Sequence, residues 1–123
     1  MDYSKLSDQE IAANVLIAQG YKLIDDGYGY SIYISDSGRK DTGPMASKQF
    51  IFDPCNNAAD AWPIISANNI SLHAPRHNEG WMAEFTGSDD DVNDGFNVDY
   101  FESHNANPLR AAMIVFLMMQ ESE

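Results

Sequence analysis

The chain has 123 residues, of which 44% are hydrophobic, the usual size and composition of one globular domain with one core. Seven Lys and Arg residues stand against nineteen Asp and Glu residues, and the formal net charge of −12 with its scattered cations argues against direct binding of nucleic acid. No apolar run approaches the ~20 residues that cross a bilayer, so we expect no contact with a membrane.

The N-terminus and the cysteine content suggest a compartment. Met1–Lys5 lacks the basic and apolar regions of a signal peptide. Cys55 is the only cysteine, which excludes an intramolecular disulfide and suits a reducing environment. We therefore expect a cytoplasmic protein.

A helix is predicted near the N-terminus. Ser7 and Glu10 have the spacing of a capping box, in which each side chain bonds the other residue's backbone N–H. An apolar face begins at Ile11, and Gly20 is a natural stop. The pattern predicts a helix over about Asp8–Gln19.

Alternating residues after this helix predict a strand with one buried face. The residues expected on that face are Tyr28, Tyr30, Ile32 and Ile34. Asp36–Pro44 is rich in Gly, Ser and charged residues, which predicts a mobile surface loop. Gln49–Phe52 is expected to form a short strand or an anchor in the core.

A second helix is predicted to begin at Asn56 or Asn57, with Asp60 near its positive end, and to run through Ile65 until Asn68-Asn69 ends it. Pro63 removes an internal hydrogen bond and is expected to kink or shorten this helix.

The next segments predict a hairpin and a further strand. Ile70–His73 and Trp81–Thr86 are strand-like and are separated by a turn at Pro75–Gly80. Gly87–Gly95 is acidic and rich in turn residues, and the alternation at Phe96–Tyr100 then predicts a third strand beside the hairpin.

The last predicted helix carries the strongest local signal. Asn107 is a capping residue, Pro108 fits the first helical position, and the residues up to Gln120 are apolar nearly all round. Such a helix needs a sheet or a partner to cover it. Arg110, the only basic residue after Arg76, is expected to anchor acidic surroundings.

The order of these elements predicts an α+β fold. We expect residues 1–123 to form a single small domain, in which a short antiparallel β-sheet is flanked by helices in an α/β/α layered sandwich.

Two segments, Phe52–Ile65 and Asn107–Gln120, carry a family resemblance together with Trp81–Phe85 between them. The chain resembles the phage NinX-like family of small phage proteins and, more distantly, the phage ABA sandwich domain. The similarity covers most of the chain and is strongest in a core of about residues 50–121. It implies a bacteriophage or prophage origin, a layered α-β-α fold and residence in the bacterial host, and it brings no activity, cofactor or site residue.

The acidic loop is the first candidate site. Asp89, Asp91 and Asn93 have the spacing of the first three ligands of an EF-hand, but Asp94 stands where glycine is needed and Tyr100 where a bidentate glutamate is needed. A solvated acidic loop is therefore favoured over a weak calcium site, and no cofactor is expected.

Nucleophilic catalysis would have to use Cys55, which precedes the second helix, whose dipole could lower the thiol pKa. It would also need an orienting carboxylate, such as Asp53 or Asp60, and a histidine base. The available histidines are His73, His77 and His104. No local motif joins these residues, so a small buried cysteine is the favoured interpretation.

The aromatic residues divide into two predicted groups. Those expected in the core are Trp62, Trp81, Phe85 and Phe116. Tyrosines beside acidic residues suit a protein-binding surface instead. The candidate surface consists of Asp89, Asp90, Asp91, Asp94, Tyr28, Tyr30 and Tyr33.

The leading hypothesis is a non-enzymatic phage accessory protein that binds a host or phage protein through an acidic surface. A basic or nucleic-acid-binding protein would be a suitable partner. One alternative is a small enzyme or metal-dependent hydrolase using Cys55 or the Asp89–Asp94 loop. Another is a structural homo-oligomer, such as a homodimer, formed through the apolar last helix.

Overall fold

Three α-helices and six strands form the part of the chain that the computed structural model describes, namely residues 2–75, 80–86 and 100–121. The helices are α1 (Asp8–Ala18), α2 (Ala58–Ala67) and α3 (Pro108–Glu121), and a 3-10 turn occupies Tyr3–Lys5. The strands are β1 (Lys22–Gly27), β2 (Tyr30–Ser35), β3 (Gly38–Thr42), β4 (Ser71–His73), β5 (Trp81–Thr86) and β6 (Tyr100–Asn105). They form two antiparallel sheets, β1-β2-β3 and β4-β5-β6.

The first helix forms as its capping box predicts. The Glu10 N–H donates to the Ser7 Oγ at 3.1 Å, and the Ser7 N–H donates to the Glu10 Oε1 at 2.9 Å. These bonds satisfy backbone donors that a helix start leaves free. The side chains that α1 buries are Ile11, Ala12, Val15 and Leu16.

The buried face of β2 is the opposite of the predicted one. Ser31 and Tyr33 are buried, whereas Ile34 is partly exposed and Tyr28 lies in the turn that joins β1 to β2. Both faces of this strand carry an aromatic residue, so alternation could not distinguish them. Tertiary packing decides which side is buried, and a shift of one residue exchanges every side chain between the faces.

The predicted loop at Asp36–Pro44 is wrong, because Gly38–Thr42 is strand β3, paired with β2. Its charged residues include an ion pair in which the carboxylate is buried and the guanidinium is partly exposed. The Asp41 carboxylate, with a side chain only 2% exposed, accepts from the Arg39 Nε at 2.8 Å and the Arg39 Nη2 at 2.9 Å. This paired geometry allows a carboxylate to enter the core.

The other edge of β3 is covered by the segment that was expected to form a short strand or an anchor. The Asp41 N–H donates to the Phe50 carbonyl at 3.0 Å, and the Phe52 N–H donates to the Asp41 carbonyl at 2.8 Å. Ile51 forms an isolated parallel bridge with Asp41, and Phe52 is buried. The expected anchor is therefore confirmed.

The second helix is also confirmed. The Asn57 side chain accepts from the Ala59 N–H at 3.0 Å, and the helix continues to Ala67, so Pro63 does not end it. The buried side of α2 consists of Ala61, Ile64 and Ile65. Trp62 is 60% exposed, so its expected place in the core is wrong. The reason is helical periodicity, which directs Trp62 away from that side.

The second sheet contains the predicted hairpin, in which Leu72 of β4 pairs with Ala83 of β5. The predicted third strand also joins it, but the described strand β6 spans Tyr100–Asn105, later than expected. The predicted acidic loop Gly87–Gly95 and residues 96–99 lie outside the described residues.

The last helix is covered within the chain. Its seven residues Ala111–Leu117 are all buried, and α3 packs on β5, β6, α1 and α2. The predicted cap is confirmed, because the Asn107 Oδ1 accepts from the Leu109 N–H at 2.9 Å. This coverage comes from the chain itself, as the sequence allowed, and the homodimer stays a prediction. The α+β class is confirmed, with two small sheets in place of one, and no described helix is long and apolar enough to span a bilayer.

Asp41→Asn should lower the free energy of unfolding by about 2 kcal/mol, because it removes charge from a hydrogen-bonded buried pair. The hydrogen bonds from Arg39 lower the pKa of the Asp41 carboxyl, and burial raises it. The effect of Arg39 is larger, so the pKa of Asp41 is lowered. The stabilisation is therefore complete above the unfolded pKa of about 3.9 and is lost as the pH falls through the lower folded pKa.

Urea unfolding of both proteins at neutral pH and at a series of acidic pH values measures this effect. The stability difference should shrink on acidification. Asp36→Asn, in the exposed turn between β2 and β3, is the control and should change stability by less than about 0.5 kcal/mol. Equal losses in the two variants would contradict a structural role for the Asp41 pair.

Candidate functional site

The three tyrosines of the predicted binding surface have different environments. Tyr28 is 99% exposed, and Tyr30 is half-buried with its hydroxyl 3.5 Å from the Asp25 Oδ2. Tyr33 is only 4% exposed, so its place on that surface is wrong. Its face of β2 is turned to the core, and burial raises the pKa of its hydroxyl. The remaining candidates, Asp89, Asp90, Asp91 and Asp94, lie outside the described residues, as does Asn93 of the calcium hypothesis.

Tyr28 and Tyr30 belong to a surface that we call the acidic hairpin, residues 23–30. Asp25 and Asp26 are exposed there, and the Asp26 Oδ1 accepts from the Ser31 hydroxyl at 2.9 Å. The hairpin turns at Tyr28-Gly29. Gly29 has a φ of 81°, a backbone angle that residues with a side chain rarely adopt. The structure thus brings two carboxylates and two tyrosines together at one end of the first sheet.

The acidic hairpin also exposes apolar side chains that the sequence pattern did not reveal. Leu23 is 48% exposed and Ile24 is 61% exposed. Both lie on β1, an edge strand of its sheet, and the register with β2 shifts between Leu23 and Asp25. The signal available in the sequence was an apolar pair directly before two aspartates and a glycine.

Cys55 has the environment of a structural residue. Its side chain is fully buried, and its backbone carbonyl accepts from the Asn107 Nδ2 at 2.6 Å. Burial, reinforced by the negative charge of Asp8, raises the pKa of the thiol to about 12. The favoured interpretation of Cys55 as a small buried cysteine is therefore confirmed, and its pKa is raised, not lowered as nucleophilic catalysis would need.

The described histidines are engaged elsewhere. His73 lies 3.2 Å from a Glu84 carboxylate oxygen, and His104 lies 3.5 Å from one of Glu102. His77 lies outside the described residues. Within the ranges given above, no group of three His, Cys, Asp or Glu side chains is arranged to hold a metal ion.

A cavity of about 210 Å³ lies between α1 and the segment that runs from the end of β3 to Asp53. Its polar lining includes Asp8, Thr42 and Asp53. Its apolar lining consists of Ala12, Pro44, Ile51 and Phe52. We call this cavity the α1–β3 groove. Acidic and apolar surfaces meet there in a concave site, which is the usual form of a small binding pocket.

A polar network holds the carboxylates of the α1–β3 groove. The Asp8 Oδ1 accepts from the Arg110 Nη1 at 2.6 Å, and the Asp8 Oδ2 accepts from the Asn56 Nδ2 at 3.0 Å. The same Asn56 nitrogen lies 3.1 Å from both carboxylate oxygens of Asp53. Burial acts to raise the pKa of Asp8, but the bonds from Asn56 and Arg110 outweigh it and lower the pKa.

Arg110 connects this network to the N-terminal segment. Its Nη2 donates to the Leu6 carbonyl at 2.5 Å and to the Ser4 carbonyl at 3.1 Å. The expectation that Arg110 anchors acidic surroundings is confirmed through Asp8, and the two carbonyls are additional partners that no local pattern indicated.

Arg110→Met should lower the free energy of unfolding by about 2 kcal/mol, because it removes three charge-assisted hydrogen bonds but leaves Asp8 partly accessible to water. Urea unfolding measures the loss. Lys22→Met, at an exposed position of β1, is the control and should stay within about 0.5 kcal/mol of the parent. If Arg110→Met also changed the free energy of unfolding by less than about 0.5 kcal/mol, the hydrogen bonds of Arg110 would not stabilise the fold.

Cys55 should resist alkylation in the folded protein. At about pH 8 an exposed thiol reacts readily, whereas a buried thiol with a raised pKa supplies almost no thiolate. Intact-mass spectrometry after iodoacetamide treatment should therefore show an unmodified native protein and complete modification in denaturing urea. Fast modification of the native protein would restore Cys55 as a candidate nucleophile.

Comparison with known proteins places these features in a family. The family model described as Bacteriophage P22, NinX matches residues 2–120, nearly the whole chain. A search of curated proteins gave no match. The resemblance carried by Phe52–Ile65 and Asn107–Gln120 is thereby confirmed, and the chain belongs to the bacteriophage P22 NinX family.

Proposed function

We propose that this protein is a non-enzymatic phage accessory protein that binds a host or phage protein through its acidic surface, with the acidic hairpin as the contact. The observation that carries the proposal is the combination of exposed apolar, aromatic and acidic side chains on edge strand β1 and the turn that follows it. Leu23 and Ile24 supply exposed apolar area. The Tyr28 side chain is exposed to solvent, and Asp25 and Asp26 add negative charge.

Each component of the acidic hairpin has a physical use in recognition. Apolar side chains and tyrosines supply most of the contact area in protein interfaces. Exposed carboxylates steer a partner of opposite charge and select against acidic ones. An edge strand can also pair with an extended segment of another chain. The proposed partner is therefore a basic protein, such as one that binds nucleic acid, met in the cytoplasm of the bacterial host.

The alternatives have less support. The enzymatic hypothesis needs a reactive thiolate, whereas Cys55 is buried and its pKa is raised. Self-association would bring together two chains that each carry a formal net charge of −12, which opposes it at low ionic strength.

Affinity capture from infected host cells, with quantitative mass spectrometry, tests the proposed function. Tyr28→Ser and Asp25→Asn should each reduce capture of the specific partner by about threefold to tenfold, because each removes an exposed contact of the acidic hairpin. Asp36→Asn removes the same charge at the opposite end of β2 and should leave capture unchanged.

Salt provides an independent measurement. Capture should weaken as ionic strength rises, because exposed charges are screened beyond about 10 Å at 0.1 M salt. A partner retained equally by all variants and at all salt concentrations would exclude the acidic hairpin as the contact, and the absence of any specific partner would refute the proposed function.

A further inference from the structure

The two edges of the first sheet differ in what covers them. The edge of β3 is paired with residues 50–52 through two backbone hydrogen bonds of Asp41. Strand β1 lies at the other end of the sheet, and within residues 2–75, 80–86 and 100–121 no segment pairs with its outer side. A row of backbone N–H and C=O groups without a strand partner is a site at which another extended chain can pair.

The first half of β1 exposes apolar side chains along this edge. Leu23 pairs with Tyr33 and so lies on the face of the sheet that is turned to the core, yet Leu23 is 48% exposed. Ile24 is the extra residue at the register shift and is 61% exposed. Side chains on adjacent strands contact one another, so a further strand beside β1 would cover both residues.

The second half of β1 carries one carboxylate on each face. Asp25 pairs with Ile32, and its Oδ2 lies 3.5 Å from the Tyr30 hydroxyl. Asp26 pairs with Ser31 and accepts from the Ser31 hydroxyl at 2.9 Å. Consecutive residues of a strand point to opposite faces. A strand beside β1 would therefore meet a negative charge on both of its faces, which two consecutive basic residues would complement.

The acidic hairpin is held in place by the segment that follows β3. The Met45 N–H donates to the Gly29 carbonyl at 2.8 Å. Gly43 has a φ of 106°, and a side chain there would place its Cβ 2.5 Å from the same carbonyl oxygen. This close approach requires glycine. An edge whose shape is fixed before binding loses less conformational entropy when it pairs.

We propose that the outer edge of β1 pairs with an extended segment of the partner protein. Two consecutive basic residues of that segment lie beside Asp25 and Asp26, and two apolar residues lie beside Leu23 and Ile24. This inference rests on the proposed function, since the segment belongs to the bound protein. It adds the mode of binding, which is strand addition, and the order of residue types in the partner.

A second copy of this chain fits the edge less well. Pairing of two β1 strands would bring together Asp25 and Asp26 of each copy, with only Lys22 of each to offset them. Like charges on neighbouring strands destabilise their pairing. The register shift at Ile24 also interrupts a regular edge, and bulges and charges are features that prevent self-association of sheets. The edge therefore selects against an acidic strand and favours a basic one.

Titration of the ¹⁵N-labelled full chain with the peptide acetyl-Lys-Lys-Val-Val-Lys-Lys-amide tests the edge alone. Both ends of this peptide are basic, so either strand direction brings lysines beside Asp25 and Asp26. NMR should show saturable shifts at the amides of Lys22–Gly27. Exchange of the β1 amides that point away from β2 should slow at least about fivefold at saturation, because these groups become hydrogen-bonded.

Two further peptides separate strand addition from attraction between opposite charges. The peptide acetyl-Glu-Glu-Val-Val-Glu-Glu-amide reverses the charge and should bind at least about tenfold more weakly. The lysine peptide with every backbone nitrogen methylated keeps its side chains and charges but has no N–H donor. It should also bind at least about tenfold more weakly, since the backbone hydrogen bonds are lost.

Variants of the chain locate the contact. Ile24→Ser and Asp25→Asn should each weaken binding of the lysine peptide about threefold, because each removes a contact at the edge. Trp62→Ser removes an apolar side chain on α2 that is 60% exposed, and this control should bind as the parent does. Circular dichroism of each variant confirms that it is folded before the titration is interpreted.

Four results would overturn this inference: equal binding of the methylated peptide, unchanged exchange of the β1 amides, shifts confined to other segments, or equal binding by Ile24→Ser. A dimeric mass by light scattering, with the β1 amides already protected in the free protein, would assign the edge to a second copy and would overturn it too. Such failure is distinguishable from failure of the proposed function. Capture of a partner from infected cells reports the side-chain contacts of Tyr28 and Asp25, whereas the methylated peptide and amide exchange report backbone pairing.

Discussion

The guanidinium of Arg110 is the interaction on which the arrangement of the helices depends. It binds Asp8 at the first turn of α1 and the carbonyls of Ser4 and Leu6, more than 100 positions away in sequence. Asn56 bonds the same Asp8, and Asn107 joins the cap of α3 to the carbonyl of Cys55. The three helices are thus joined at their N-terminal ends by groups whose charge and geometry allow few alternatives. Such bonds are directional, so they define how the apolar faces meet, whereas burial alone would tolerate several orientations.

The elements that could be predicted from sequence are those whose signals are local. Ser7, Asn57 and Asn107 each satisfy backbone groups within three residues, so the helix starts they indicate do not depend on the rest of the fold. Strand β3 could not be recognised in the same way. In the sequence its charged residues resemble those of a loop. The contacts that make it a strand, the Arg39–Asp41 pair and the backbone bonds from Phe50 and Phe52, come from the folded structure. The buried face of β2 likewise depends on packing that alternation does not encode.

The candidate sites also divide into features with a local sequence signal and features that depend on tertiary packing. Tyr28 lies between two glycines, a local signal for a turn, although the alternation also placed it on a buried strand face. The burial of Tyr33 is a property of the packed sheet. The α1–β3 groove joins residues 8 and 53, and no pattern of spacing could have brought those carboxylates together. Cys55 shows the same limit in its electrostatics, because its raised pKa arises from burial beside Asp8, which lies on α1, far away in sequence. Sequence reasoning therefore found exposed candidates more readily than concave ones.

The distribution of charge links the fold to the proposed recognition. Arg39 and Arg110 neutralise one carboxylate each inside the structure, at Asp41 and Asp8. Other carboxylates, including Asp25 and Asp26, remain at the surface, where mutual repulsion destabilises the compact state. A basic partner would relieve part of this repulsion on binding, so the same charges that weaken the free protein would strengthen the complex. At the exposed acidic hairpin water screens the charges, so this coupling would act mainly through long-range attraction and would depend on the salt concentration.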